Sequence, residues 1–224
     1  MVTIVTSANR HLHEVDLRDM HRLRYHVAVN ELGWTLPDGG DGVDIDRYDR
    51  DDTIYFLHRA SNGELIATAR LNPTTRPHLM TDIFPDLCSF DGVPMAEDIY
   101  EYSRFLVKRR GVSRRENLRG QACISLAIVE YCLAADIRQV SWVSYKRSYP
   151  LALRMWVTRP LGLPQYFEED DADYIAAISD MNSASLQKTR DLARIYEPVG
   201  HITVELDFAP DLAKRSETPN KRVS

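Results

Sequence analysis

Residues 98–107 read DIYEYSRFLV, and the arrangement of the rest of the chain follows from this stretch. Ile99, Tyr100, Tyr102, Phe105, Leu106 and Val107 are aromatic or aliphatic, so the segment reads as a strand. Upstream, residues 53–60 and 64–71 read as two more strands, joined by Ser61-Asn62-Gly63, a hairpin turn signal. Downstream, residues 116–135 form an apolar helix, 138–144 a strand and 149–157 a helix. An antiparallel hairpin region followed by strand–helix–strand–helix indicates one mixed sheet flanked by helices, an α/β (α+β) fold. On its own this order names no function.

Further out, residues 2–6 read as a short β-branched strand, and Asp16 as the N-cap of a helix running to about Leu32, where Gly33 stops it. Arg24 falls on that helix's apolar stripe with Leu17, Met20, Val27 and Ala28, so it needs a buried carboxylate partner. Residues 35–52, rich in Gly, Asp and Pro, read as a long ordered loop or lid. Residues 73–87 mix turns with a short helix. The last third suggests a strand near Tyr174, a helix across 183–195 and a final strand over 202–208. A single domain is expected over residues 1–210, and a disordered tail over 211–224.

With 224 residues, 44% of them hydrophobic and no apolar run near 18, the chain suits one core and no membrane span. Its N-terminus lacks a cleavable signal pattern, which favours the cytoplasm. Cys88, Cys123 and Cys132 match no disulfide or zinc spacing, and the last two read as buried thiols. The net charge of −5 argues against a dedicated nucleic-acid partner, but it averages over opposed blocks. Residues 38–52 carry seven Asp against two Arg; residues 104–119 carry seven basic residues against one Glu; residues 146–159 carry four basic residues and no acid. A solvated face is the plain alternative for each block.

There is no Walker loop, GxGxxG, GxSxG or HExxH, and the seven histidines are scattered. His11 and His13 read as surface residues, and no metal is expected. What remains is a series spread over the first half: Arg24; Leu32-Gly33-Trp34; Asp46 and Asp49 in DIDRYDRDD; Arg70 in ARLNPTTRP; Phe84 in DIFPDL; Glu101 and Arg104 in YEYSRF. In this order and spacing the chain resembles the acyl-homoserine-lactone synthases, the LuxI-type autoinducer synthases. The motifs cover roughly residues 24–106, and the element layout agrees to about residue 160. One departure is Ala28, where the family usually has Phe, leaving room beside Trp34.

The resemblance implies a mostly antiparallel sheet like that of the GCN5-related N-acetyltransferases. It also implies acylation of the α-amine of S-adenosylmethionine by a thioester, then displacement of methylthioadenosine by the carboxylate to close a homoserine lactone. S-adenosylmethionine would be a substrate, and no resident cofactor is expected. The residue types suit that chemistry. Trp34 offers a π-face for a sulfonium or an adenine. Arg24 and Arg104 could hold a carboxylate, while Asp46 and Asp49 could orient those arginines or receive the ammonium. A purely structural Arg–Asp network is the alternative. Arg70 and Phe84 complete the candidate nucleotide-side set.

Glu101 is the candidate base for the amine, directly or through a water, since a charged residue between strand-forming aromatics is hard to explain as packing. In a regular strand Glu101 and Arg104 point to opposite faces, so both can meet one ligand only across a bulge. A splayed strand there would also free a backbone N–H for the thioester oxyanion. Lys108, Arg109, Arg110, Arg114, Arg115, Lys146, Arg147 and Arg154 could dock an acidic acyl carrier protein, which is favoured as donor over acyl-CoA. For CoA, residues 117–122, NLRGQA, nearly match a pyrophosphate-cradling loop at a helix start. Phe105, Leu126, Trp142 and Ser144 are the candidate acyl pocket. Two rivals stay open: an acyl-CoA N-acyltransferase of this fold acting on another amine, and a non-catalytic S-adenosylmethionine-binding module.

Overall fold

A computed structural model of the protein describes residues 1–35 and 42–203. In chain order the regular elements are β1 (Val2–Val5), α1 (Glu14–Tyr25), β2 (Ile54–Arg59), β3 (Leu65–Pro73), α2 (Leu79–Asp82), β4 (Ile99–Val107), α3 (Arg114–Ala134), β5 (Gln139–Tyr145) and α4 (Tyr149–Met155). They continue with β6 (Val157–Pro160), β7 (Gln165–Phe167), β8 (Ala172–Asp180), α5 (Ser183–Ala193) and β9 (Gly200–His201). All the strands join one sheet in the order β6-β8-β5-β4-β3-β2-β1-β9, with β7 also on β8. Only β4–β5 and β1–β9 are parallel; the other pairs are antiparallel. The mixed, mostly antiparallel sheet flanked by helices is therefore the observed fold.

The long helix α3 covers the middle of one sheet face. Its Cys123, Ile124, Leu126, Ala127, Ile128 and Cys132 are buried against Phe56, Ala67, Ala69 and Val140. Burial of each such aliphatic side chain contributes ~1.5–3 kcal/mol, which fixes α3 on the sheet. Both cysteines expected to be buried are so, and burial pushes the Cys132 thiol well above its ordinary range. The start of α3 is set by a reciprocal cap. Ser113 Oγ accepts from Glu116 N, and the Glu116 carboxylate accepts from Ser113 N. Gly120 faces the sheet, where a Cβ would lie 3.4 Å from Ala67 Cβ.

On the other face, α1 packs Met20 and Leu23 against Tyr55 and Leu57. Several expectations change here. The helix begins at Glu14, and Asp16 binds His13 and Arg59 instead of capping it. His13 is accordingly buried, not a surface residue. After Tyr25 the backbone loosens into a π-helical stretch, His26–Glu31. Ala28 is fully buried there and its carbonyl accepts from Trp34 N at 2.8 Å, so the smaller residue is absorbed by packing. Among the described C-terminal residues Gly200–His201 forms a strand, and the expected strand over 202–208 falls largely outside the described residues, as does the tail.

Two irregularities in the sheet create the site. β4 and β5 pair only at Ile99–Glu101 against Gln139–Ser141. Beyond that point β4 follows β3, β5 follows β8, and the sheet splits into a wedge. The second irregularity lies along the wedge wall. Thr68 pairs with Leu106 but Arg70 pairs with Ser103, so Arg104 and Phe105 together oppose Ala69. Arg104 has φ +51°, a left-handed conformation unusual for a side chain of its size. A bulge in this strand is the condition that strand parity set for Glu101 and Arg104 to meet one ligand.

Candidate active site

The wedge opens into a cleft of about 1280 Å³. Trp34, Asp46, Phe84, Arg104, Phe105, Trp142, Ser144, Arg109 and Arg147 all line it, so nine of the residues singled out from the sequence converge on one space. Trp34 spans the split. It leaves the end of the π-helical stretch and donates its Nε1–H to Tyr145 Oη on β5 at 2.9 Å. Tyr145 packs on Tyr174 at 4.8 Å, and Tyr174 stacks on Phe84 at 5.9 Å. Trp34 thus caps an aromatic box whose far side comes from β8 and the segment before residue 85.

Arg24, Asp49 and Arg70 lie behind this surface. Arg24 donates to both Asp49 oxygens (2.7 and 2.9 Å) and through Nε to Asp44 (3.0 Å). Arg70 donates to both Asp46 oxygens (2.7 and 2.9 Å), reaches Asp49 at 2.9 Å and Ser103 Oγ at 2.9 Å. Arg104 closes the set on Asp44 and Asp46, each at 2.8 Å. Three guanidinium groups thus meet three carboxylates and cancel in formal charge. Burial opposes ionisation of Asp49, but Arg70 and Arg24 outweigh it and hold the carboxyl below the usual range. Asp44 is lowered in the same way, with Arg24 and Arg104 overcoming its burial. The Arg–Asp set therefore divides by position. The inner pairs stitch the acidic loop onto α1 and the sheet; only Arg104 and Asp46, 14% and 10% exposed, face the cleft. Asp44 was not singled out, because nothing in DIDRYD separates it from its neighbours.

Glu101 does not line the cleft. It is 1% exposed, and its two oxygens accept from Leu79 N (3.1 Å) and Met80 N (2.7 Å) at the start of α2, whose Leu79 does line the cleft. Burial raises its carboxyl above the ordinary glutamate range, and nearby His78 and the two N–H donors counter only part of that rise. The His78 Nδ1 faces Arg76 O at 2.9 Å, while its buried Nε2 has no partner among the described residues.

The remaining candidates divide. Phe105, Trp142 and Ser144 flank the wedge, but Leu126 is fully buried in the core and takes no part. Arg110, Arg114, Arg115, Lys146 and Arg154 are exposed, in the connection from β4 into α3 and from β5 into α4, and none of them lines the cleft. Lys108 is drawn into an ion pair with Glu64, and Lys146 pairs with Asp173 at 3.3 Å. The NLRGQA segment is not a loop. It is the body of α3, where Asn117 donates to Lys108 O at 2.8 Å and Gly120 serves close packing. Its expected role as a phosphate cradle is therefore not supported by its position. Tyr102, Met155, Trp156 and Tyr145 also line the cleft, brought there by the wedge and by α4, which pattern reading could not locate.

Comparison with known proteins agrees with this geometry. The autoinducer synthase family model matches residues 8–149. An isovaleryl-homoserine lactone synthase from Bradyrhizobium diazoefficiens is 34% identical over 192 residues, covering 85% of this chain and 84% of that one. A solved structure of a CoA-dependent acyl-homoserine lactone synthase, BjaI, with SAM and isopentyl-CoA superposes with a TM-score of 0.81 at 31% identity, over 91% of this chain and 93% of that one. A structure described as a putative N-acetyltransferase from Lactobacillus plantarum, 16% identical, shares the fold alone, with a TM-score of 0.51 over 81% of this chain and 99% of that one. The chain belongs to the autoinducer synthase family and is an enzyme of quorum sensing, an acyl-homoserine-lactone synthase.

Proposed function

We propose that this enzyme joins S-adenosylmethionine to an acyl group delivered by CoA, and that the wedge between β4 and β5 holds both substrates. The observation that carries the reading is the meeting, in one cleft, of a polar end at Arg104, Asp46 and Trp34 with an apolar, aromatic slot. In this reading the substrate carboxylate is held by Arg104, and the ammonium lies near Asp46. The adenine and sulfonium lie against Trp34 and the aromatic box beneath it.

The α-amine has an ordinary pKa of ~7.7–8.0, so its deprotonation costs little near neutral pH. Glu101 would take that proton through a water, since each carboxylate oxygen already accepts one N–H and keeps a second lone pair. The amine then adds to the thioester carbonyl, and a backbone N–H of the bulge at Arg104–Phe105 would receive the oxyanion. Collapse forms the amide and releases the CoA thiolate, which takes up a proton. The substrate carboxylate, still oriented by Arg104, attacks the carbon bonded to sulfur; that C–S bond breaks, the lactone closes and methylthioadenosine leaves.

The sequence put a carrier protein first as donor. Acyl-CoA is preferred here because the similar BjaI structure is described as CoA-dependent with isopentyl-CoA, and because Arg109 and Arg147 stand at the cleft where phosphates would enter. Incubation of the purified enzyme with S-adenosylmethionine and matched acyl-CoA or acyl-carrier donors tests this. The expected result is acyl-homoserine lactone and methylthioadenosine in equal amounts, with higher kcat/KM for CoA. Amide product without methylthioadenosine would instead indicate transfer to another amine, and binding without turnover a silent module.

A further inference from the structure

The two strands that diverge to form the wedge end alike. β4 stops at Val107 and is followed by Lys108-Arg109; β5 stops at Tyr145 and is followed by Lys146-Arg147. In each pair the lysine is drawn away and the arginine is not. Lys108 pairs with Glu64 and Lys146 with Asp173, whereas Arg109 and Arg147 line the cleft. Neither guanidinium group makes an ion pair or a hydrogen bond with a described residue. Two unneutralised cations thus stand at the open ends of the wedge, one from each side.

Both are braced by one short segment, residues 31–34. The Glu31 side chain ends the π-helical stretch and is 2% exposed. Its two oxygens accept from the backbone N–H groups of Arg109 (2.9 Å) and Arg110 (3.0 Å). His26 Nε2 lies 3.3 Å away, and among the described residues no Lys or Arg side chain pairs with this carboxylate. The rest of the turn is fixed as well. Lys108 N donates to Ile66 O at 2.8 Å, Asn117 donates to Lys108 O at 2.8 Å, and Gly111 supplies a left-handed φ of +76°. Three residues past Glu31, Trp34 donates to Tyr145 Oη, and the Arg147 guanidinium lies 4.5 Å from the centre of that tyrosine ring.

Burying a carboxylate is costly, and at an exposed turn the two hydrogen bonds it makes could be supplied by water. What Glu31 adds is a fixed course for the backbone at Arg109. With those two N–H groups spent on Glu31, an anion arriving beside them meets the Arg109 side chain instead. We propose that Glu31 is a positioning residue for the thioester donor: it sets Arg109 so that this guanidinium and that of Arg147 together hold the phosphates of acyl-CoA at the mouth of the wedge. The proposal rests on the reading of the wedge as the CoA site. A guanidinium group meets a phosphate with two parallel N–H donors, and a backbone already in place lowers the ordering cost of that contact. Glu31 itself touches no substrate and acts through Arg109.

The test compares two donors of the same acyl group, acyl-CoA and acyl-pantetheine; the second keeps the thioester and the pantetheine arm but has no phosphate. The quantity read is the ratio of their kcat/KM values with S-adenosylmethionine, taken within one protein sample so that any misfolded fraction cancels. The wild type should favour acyl-CoA by about tenfold or more. Arg109→Ala and Arg147→Ala should each lower that ratio severalfold. Glu31→Gln, which turns a donor toward one of the two N–H groups, should lower it too, through a raised KM for acyl-CoA. The double variant Glu31→Gln with Arg109→Ala should fall no further than Arg109→Ala alone, since the two residues act as one unit. A Glu31→Gln ratio equal to that of the wild type, or a double variant in which the two losses add, overturns the proposal and leaves the CoA reading standing. A wild-type ratio near one, or lactone formed only from an acyl carrier donor, overturns that reading and the proposal with it.

Discussion

Asp49 illustrates how much the site depends on single ionised groups. It accepts from Arg24 and Arg70 and also from the Tyr55 hydroxyl at 3.0 Å. Asp49→Asn leaves two buried guanidinium groups short of a charge, and removal of one partner from such a pair costs about 3–5 kcal/mol. Urea denaturation should show that loss with an unchanged slope. The carboxyls of Asp49 and Asp44 lie lower in the folded chain than the ~3.9 of an unfolded Asp. Their contribution to stability is therefore complete above the unfolded value and is lost as pH falls through the folded values. Thermal melts should hold steady on this account down to about pH 5 and decline steeply below pH 4, a decline that Asp49→Asn flattens.

Glu101 moves the other way, raised by burial, so it becomes a competent base only above the ordinary glutamate range of ~4.3. The acid limb of kcat should lie above that value. Glu101→Gln should lower kcat by about 10²–10⁴ if the carboxylate accepts the amine proton. It also turns an amide N–H toward one of the two donors at Leu79 and Met80, a cost of ~1–3 kcal/mol in stability. Loss of stability with turnover preserved would make Glu101 a helix cap and nothing more. The charge of this residue in an aromatic strand was plain in the sequence. Its setting behind the cleft wall was not, because it depends on α2, a four-residue helix whose start is tied down by Glu101 itself.

At the level of elements, strand parity in YEYSRF was the most informative pattern, since it tied a ligand shared by Glu101 and Arg104 to a bulge, and the sheet register contains one. Periodicity located α3 but mistook the role of Gly120. The capping pair Ser113 and Glu116 starts the helix before Asn117, so the glycine lies in its body and against β3. A Cβ there would meet Ala67, His58 and Ile66 at 3.4–3.6 Å, which is ordinary contact. Gly120→Ala should therefore stabilise the protein by about 0.5–1 kcal/mol through reduced unfolded-state freedom and better helix propensity. Gly120→Leu should destabilise by about 1–3 kcal/mol through overpacking. Gly162 behaves differently: a Cβ would lie 2.3 Å from Leu87 O, so Gly162→Ala should lower the melting temperature clearly. Neither glycine was marked in the sequence by a turn motif, because their constraint comes from neighbours distant along the chain.

For the whole molecule, the segregated charge read from composition maps onto two different uses. Asp44, Asp46 and Asp49 of the acidic loop are neutralised by Arg24, Arg70 and Arg104, so the side of the cleft where the proposed function puts S-adenosylmethionine is nearly balanced. The basic blocks are not balanced in this way: Arg109 and Arg147 are exposed at the cleft, and Arg110, Arg114, Arg115 and Arg154 are exposed beside them in the chain. Arg147 also lies over the Tyr145 ring at 4.5 Å, close to the bridge from Trp34. Added salt shortens the screening distance from ~10 Å at 0.1 M to ~3 Å at 1 M, and it weakens exposed charges far more than buried pairs. The two substrates should therefore respond unequally. Raising NaCl toward 0.5 M should increase KM for the polyanionic acyl-CoA severalfold and leave KM for S-adenosylmethionine within about twofold. Arg147→Glu and Arg109→Glu should reproduce the first effect at low salt and flatten its salt dependence. Equal salt sensitivity of both KM values would mean that the basic rim is only a solvated surface. The same comparison with an acyl carrier donor separates phosphate recognition from protein docking, since a docked carrier should also feel the changes Arg114→Glu and Arg115→Glu on the outer face of α3.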